Sequence, residues 1–158
     1  MLKWLGVSVV IVLIDQATKY FIAQSFSVNE AVQIMPFFNL VRVYNPGAAF
    51  SLLSHASGWQ REFFILIAVV ASAWVVYLLW RHPGQALFAC ALSLILGGAL
   101  GNVIDRVLYG AVVDFLDFHL YGYHWPAFNV ADSAITCGAA LLLWDSVRSH
   151  KRAATAHD

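Results

Sequence analysis

The chain has 158 residues, room for one ordinary domain. It is 61% hydrophobic and 11% charged, with a mean hydropathy of +0.71, whereas soluble proteins are roughly 45–50% apolar and about 25% charged. That excludes an ordinary soluble domain and reads as a membrane protein; zero net charge without a basic tract gives no reason to expect nucleic acid as a partner.

In chain order, Trp4 to Ala23 is the first apolar stretch, broken late by Asp15, Gln16 and Lys19. Lys3 before an apolar core also suits a cleaved signal peptide. The core instead runs into Asp-Gln-Ala-Thr-Lys without a small-x-small cleavage site, which predicts a retained helix. Residues 24–58 are too polar and interrupted to span. Within them VQIMPFFNLVRVYN is rich in β-branched and aromatic residues, and Asn45-Pro46-Gly47 is a turn signal, which predicts short strands at the membrane surface. An open sheet cannot cross the hydrocarbon, because its edge groups would find no water there.

Phe63 to Trp80 carries no charge and is long enough to span. A tight turn at 81–85 leads into Ala86 to Ile104, where Gly97-x-x-x-Gly101 predicts close approach of a neighbouring helix. Phe128 to Trp144 supplies a fourth span before a basic tail with Arg148, Lys151 and Arg152. Trp4, Trp59, Trp80, Trp125 and Trp144 fall near span ends, as interfacial anchors should. Cys90 and Cys137 each lie in an apolar run at a spacing of no metal or redox motif, and read as small packing residues. The expected fold is mostly α: one membrane-embedded domain over 1–158, with four transmembrane helices (about 4–23, 63–80, 86–104 and 128–144) and a small extracytoplasmic β-rich segment. Arg148, Lys151 and Arg152 are the clearest positive-inside signal, since Lys19 and Arg106 have acids nearby to pair with and Arg61 has Glu62. Both termini are therefore expected in the cytoplasm, with 24–58 and 109–126 outside.

Polar residues cluster at that outer face. Of nine acidic residues, Asp105, Asp114, Asp117 and Asp132 fall in one stretch. Asp15 comes late in span one, Asn102 to Arg106 late in span three, and Asn129 and Asp132 early in span four, sharing one side of a helix. Asp114 lies in the loop expected between spans three and four, which is short enough to fold back towards Asp132. Ionisable groups at a bilayer are costly, so each is a hypothesis about function. Two close carboxylates share one proton: the charged one can take a proton from an attacking water, and the protonated one can polarise a carbonyl.

Other readings of the same residues stay open. Asp132 suits a first-turn acid with Asn129 as helix cap. Asp15 and Lys19, four apart, suit a helix ion pair; Arg106 suits snorkelling to phosphates; Asp117 suits a solvated position; Asn45 suits its turn. His119 and His124 near Asp114 and Asp117 match no zinc motif, so no metal or cofactor is expected. No GxSxG occurs and Ser133 lacks an evident base, which argues against serine catalysis. A small proton-coupled transporter component would use the same acids but should string polar residues through the bilayer, whereas here they gather at one face.

With these residues in view, the chain resembles the lipoprotein signal peptidases, the type II signal peptidases of bacteria. DQATK at 15–19, VYNPGAAFSLL at 43–53, GNVIDR at 101–106, VVDF at 112–115 and FNVADS at 128–133 stand in that family's order. The resemblance covers nearly the whole chain. It implies a four-helix aspartyl endopeptidase of the bacterial inner membrane, working without cofactor or metal as a monomer, its site facing the periplasm and outer leaflet. Its substrate would be a diacylglyceryl-modified prolipoprotein, cut just before the lipidated cysteine, with membrane lipids as its other partners. The family's catalytic pair falls on Asp114 and Asp132, and its supporting polar residues on Asp15, Asn45, Asn102, Arg106 and Asn129. Lys19 and Asp105 also match, with structural or interfacial roles. The extended segment before Asn45 resembles the family's β-cradle, and 116–125 its lid-like segment.

Overall fold

The computed structural model describes residues 1–47 and 59–155, with backbone alone from position 150 onward. The second part of the surface segment, including AAFSLL of the 43–53 motif, and the side chains of Lys151 and Arg152 lie outside the described residues. Among the described residues there are four helices: α1 (Leu2–Ser25), α2 (Gln60–Arg81), α3 (Ala86–Tyr109) and α4 (Val130–Thr155). Each contains a stretch long and apolar enough to cross a membrane. The fold is thus mostly helical, with a small antiparallel sheet of β1 (Ala31–Met35), β2 (Phe38–Asn45), β3 (Val112–Leu120) and β4 (Tyr123–His124), ordered β1-β2-β3-β4.

Helix α3 is central and packs against all three other helices. Its glycines are the reason. A Cβ at Gly97 would lie 2.7 Å from Ile11 Cβ, and one at Gly101 would lie 2.6 Å from Asp15 Oδ2, both on α1. Gly98 faces the Ala131 carbonyl of α4. The glycine pair therefore brings α1 in, and its neighbour Gly98 brings in α4, by backbone approach. Ser8 adds an interhelical bond, its hydroxyl donating to Ser93 O at 2.9 Å.

Apolar packing is gathered between α2 and α3, where Val75, Leu79, Ala89, Leu92 and Leu96 form the buried core, with Trp4 and Leu5 of α1 against it. The outward face of α2 exposes Leu66, Ile67, Val70 and Trp74. A helix apolar all round, with only one face covered, fits a lipid neighbour. The core lies at the level of the 82–85 turn, which leaves the opposite end of the bundle for polar groups.

The connection between α3 and α4, expected as a loop, is instead a strand and hairpin. Gly110 ends α3 in the left-handed region (φ 78°), its N–H donating to Arg106 O at 3.1 Å. The chain then enters β3 directly. Arg61, expected to pair with Glu62, caps the same helix end, donating to the carbonyls of Arg106 (2.9 Å) and Val107 (3.1 Å). Strand β3 pairs antiparallel with β2, with Val43 opposite Asp114 and Asn45 opposite Val112. Side chains two apart share a sheet face, so Asn45 sits diagonally from Asp114 on the same face. Pairing with a distant strand decides this geometry, and no local pattern announces it.

Gly101→Ala tests the close approach. Alanine gains about 0.8–1 kcal/mol of helix propensity, but overpacking costs about 1–3 kcal/mol and the added methyl meets the Asp15 carboxylate. The expected result is a lower Tm in detergent. An unchanged or raised Tm would mean the helices are not this close.

Candidate active site

The polar end of the bundle is built from five elements. Helix α1 supplies Asp15, Gln16 and Lys19; α3 supplies Asn102, Asp105 and Arg106; α4 and its cap supply Asn129 and Asp132. Strand β3 supplies Asp114, and the end of β2 supplies Asn45. Every site residue expected from the sequence is found here, in one network.

Asn129 stands just before α4 and caps it. Its Oδ1 accepts the Asp132 N–H at 2.9 Å, while the Asn129 N–H donates to Asp132 Oδ2 at 3.3 Å. This reciprocal pattern satisfies orphan donors of the helix start. The cap reading of these two residues is thus correct, and the same bonds fix where Asp132 lies. The Asn129 amide nitrogen donates to Asp114 Oδ1 at 2.7 Å, so one asparagine links both carboxyls. Asn45 donates to the other oxygen of Asp114 at 3.1 Å, and Asn102 donates to Asp132 Oδ1 at 2.8 Å.

Asp114 is buried, with 2% of its surface exposed. Burial pushes its proton affinity up, and the nearby Asp132 charge pushes it further, to a pKa of about 7. The bonds from Asn45 and Asn129 and the charge of Lys19 oppose this without cancelling it. Near neutrality Asp114 is therefore poised to hold or release a proton. Across from it, Asp132 is half-buried.

Behind the carboxyls lies a charge cluster that the sequence only hinted at. Lys19 is 3% exposed, Asp15 0% and Asp105 1%. The Lys19 ammonium meets Asp15 Oδ2 at 2.8 Å, Asp105 Oδ2 at 2.9 Å and Asn102 Oδ1 at 3.0 Å. The i,i+4 spacing of Asp15 and Lys19 gives the helix ion pair it suits, and α3 adds the second acid and the amide. Gln16, which the sequence marks only as a break in the apolar stretch, donates to Asp105 Oδ1 at 2.9 Å and to Gly101 O at 3.2 Å. Its signal was there: a glutamine between two buried charged residues one turn apart has no reason to face lipid.

Arg106 does not snorkel. It is buried, donates to Gly47 O at 2.9 Å and lies over the Phe64 ring at 5.1 Å, tying the turn after β2 to the end of α3. Nor is Asp117 solvated: it is buried, accepting from Asn39 Nδ2 at 2.7 Å and bonded to His124 Nδ1 at 2.9 Å. Asn39 stands directly opposite Asp117 on β2, so the sheet supplies its partner. His119 and His124 stack on one another at 4.9 Å, beside Asp117. No group of three or more His, Cys, Asp or Glu suited to hold a metal occurs among the described residues.

Comparison with known proteins agrees with this arrangement. A family model described as signal peptidase (SPase) II matches residues 7–148. A lipoprotein signal peptidase of Janthinobacterium sp. (strain Marseille) is 57% identical over 148 residues, spanning 94% of this chain and 90% of that protein. One from Ralstonia nicotianae is 60% identical over 149 residues, spanning 94% and 86%. Among solved structures, a bacterial membrane enzyme determined by the in meso method at 2.3 Å superposes with a TM-score of 0.84 at 34% identity, covering 96% of this chain and 92% of that one. A second, at 1.9 Å, gives a TM-score of 0.81, also at 34% identity. A match over nearly the whole chain, joined to paired carboxyls at one end of four membrane-crossing helices, means that the chain belongs to the signal peptidase II family.

Proposed function

We propose that Asp114 and Asp132 are the pair with which this protease removes the signal peptide from diacylglyceryl-modified prolipoproteins. The observation that carries the reading is Asn129, whose amide binds Asp114 while its cap bonds hold Asp132. In this reading Asp132 takes a proton from a water as that water attacks the scissile carbonyl before the lipidated cysteine. Protonated Asp114 donates a hydrogen bond to the same carbonyl oxygen as negative charge develops on it. Collapse of the tetrahedral intermediate then breaks the C–N bond, with a proton passing to the departing amine. The titration belongs to the pair rather than to one residue.

Asn45, Asn102 and Asn129 keep the carboxyls in place and are in reach to pair with substrate peptide groups, while Arg106 holds the Gly47 turn beside them. Asp15 supports the start of α4 through its bond to the Ala131 N–H at 2.9 Å. The chain works as one membrane-embedded unit, a monomer in the bacterial inner membrane surrounded by lipids, its site towards the periplasm and outer leaflet. A substrate with two acyl chains stays in that leaflet while its backbone reaches the carboxyls, and the apolar faces of α2 to α4 receive the lipid. The transporter reading gains no support: the acids gather at one end, α2 carries none along its apolar length, and the family is a peptidase.

Orientation is tested by reporter fusions after Asn29 and within the 82–84 turn. An exported reporter is expected to be active at the first and silent at the second; the reverse, or the same side for both, overturns the topology.

The pair is tested by Asp114→Asn and Asp132→Asn in detergent with a lipidated prolipoprotein. General acid–base catalysis typically contributes about 10²–10⁴-fold, and each variant is expected to lose at least that much activity. The double variant should be little worse, since groups acting as a unit are not additive. A near wild-type rate in either single variant would sink the pair.

Asp114 also has a stability signature. Its pKa in the folded protein, about 7, is raised above the ordinary 3.8. The folded state therefore binds that proton more tightly than the unfolded chain. The stability it contributes is complete below about pH 4 and is lost as pH rises through about 7. Thermal melts between about pH 5 and 8 should show wild-type Tm falling with pH, and Asp114→Asn should flatten the fall. Parallel curves for the two proteins would contradict this.

A further inference from the structure

The buried Asp15–Lys19–Asp105 cluster does more than join two helices. Each of its acids accepts a backbone N–H from the residue directly before one carboxyl of the pair. Asp105 Oδ2 accepts the Val113 N–H at 3.0 Å, next to Asp114. Asp15 Oδ1 accepts the Ala131 N–H at 2.9 Å, next to Asp132. Lys19 holds both acids and also reaches Asn102.

That last bond has a chemical consequence. An ammonium only donates, so the side of the Asn102 amide facing Lys19 must be its oxygen. The amide NH₂ is then turned towards Asp132, where it donates at 2.8 Å. Asn129 Nδ2 donates to the same oxygen at the longer distance of 3.2 Å, so without the cation the orientation of the amide rests on that one neutral bond, and turning its oxygen towards the carboxylate would exchange a hydrogen bond for a repulsion.

We propose that Lys19 is a positioning residue for hydrolysis: through Asp15, Asp105 and Asn102 it sets the spacing and the hydrogen-bond polarity of the Asp114–Asp132 pair. The proposal rests on that pair being catalytic. Lys19 touches neither carboxyl and acts through its three partners. Its charge also reaches Asp114, opposing the proton affinity that burial confers. The other titratable or charged groups around it are Asp15 on α1, Asp105 and Arg106 on α3, and Asp132 on α4. Across a cavity of about 440 Å³ lie Arg42, Tyr44, Tyr20 and Tyr109.

The test measures kcat, KM, the pH–rate profile and Tm for Lys19→Met and Lys19→Arg with a lipidated prolipoprotein in detergent. A displacement of about 1 Å can cost about 10²-fold, so Lys19→Met is expected to lower kcat by about 10–100-fold with KM within about twofold. Losing a cation that favours the charged carboxylates should also move the profile to higher pH. Lys19→Arg, whose bulk can enter the adjoining cavity, should leave the profile near its wild-type position. Wild-type kcat and profile in Lys19→Met overturns the proposal, as does a fall in kcat with an unmoved profile, which is what a purely structural residue gives. If Lys19→Met does not fold, Lys19→Met/Asp105→Asn keeps the cluster's net charge and an acceptor for Val113. A folded double variant with wild-type kcat overturns the proposal, and one with lowered kcat at unchanged KM supports it. Asp114→Asn and Asp132→Asn run alongside: if they stay active the pair itself is wrong, and if they are dead while Lys19→Met is normal only this inference falls.

Discussion

The structure depends on keeping three charges, Asp15, Lys19 and Asp105, out of both water and lipid. Taking a charge from water is costly, and removing one partner of a buried pair typically costs about 3–5 kcal/mol. The cluster is tolerable only if α1 and α3 come close enough for one ammonium to meet two carboxylates. Gly97 and Gly101 permit that approach, and a side chain at Gly101 would occupy the space of the Asp15 carboxylate. The remaining lone pairs of these acids are then available to backbone donors of β3 and α4, so charge burial in two helices fixes the start of a third and the register of a strand.

Separation of apolar and polar packing along the bundle follows from the same constraint. Val75, Leu79, Leu92 and Leu96 close one end by dispersion and burial alone. The other end is closed by hydrogen bonds between asparagines, acids and backbone, which are directional and tolerate little rearrangement. That difference suits the proposed hydrolysis: directional bonds at the polar end hold both carboxyls in a defined geometry.

In the proposed mechanism, structural and chemical roles coincide in single residues. Asn129 and Asp132 form a helix cap that would read as ordinary anywhere else. Because the cap faces β3, the asparagine's amide nitrogen donates to Asp114 and also to Asn102 Oδ1, and the capping carboxylate stands beside a second acid. Asp114 is held near a pKa of 7 by burial and by that neighbour.

Much of this was legible in the sequence. Four spans follow from uninterrupted apolar length, because a helix alone in lipid must satisfy its own backbone. Clustering of Asp15, Asn102, Asn129 and Asp132 at one face follows from their positions late or early in those spans, with Asp114 between the last two. Tertiary structure alone decided the rest. Residues 112–120 looked like a loop because their strand partner, β2, lies some seventy residues away in the chain. Asp117 looked solvated because its covering groups, Asn39 and His124, come from that pairing and from the hairpin. Lys19 looked like one half of a local ion pair because its second acid and its asparagine belong to another helix. Local pattern reports what a residue can do within its own element; which distant groups satisfy a buried charge is settled only when elements pack.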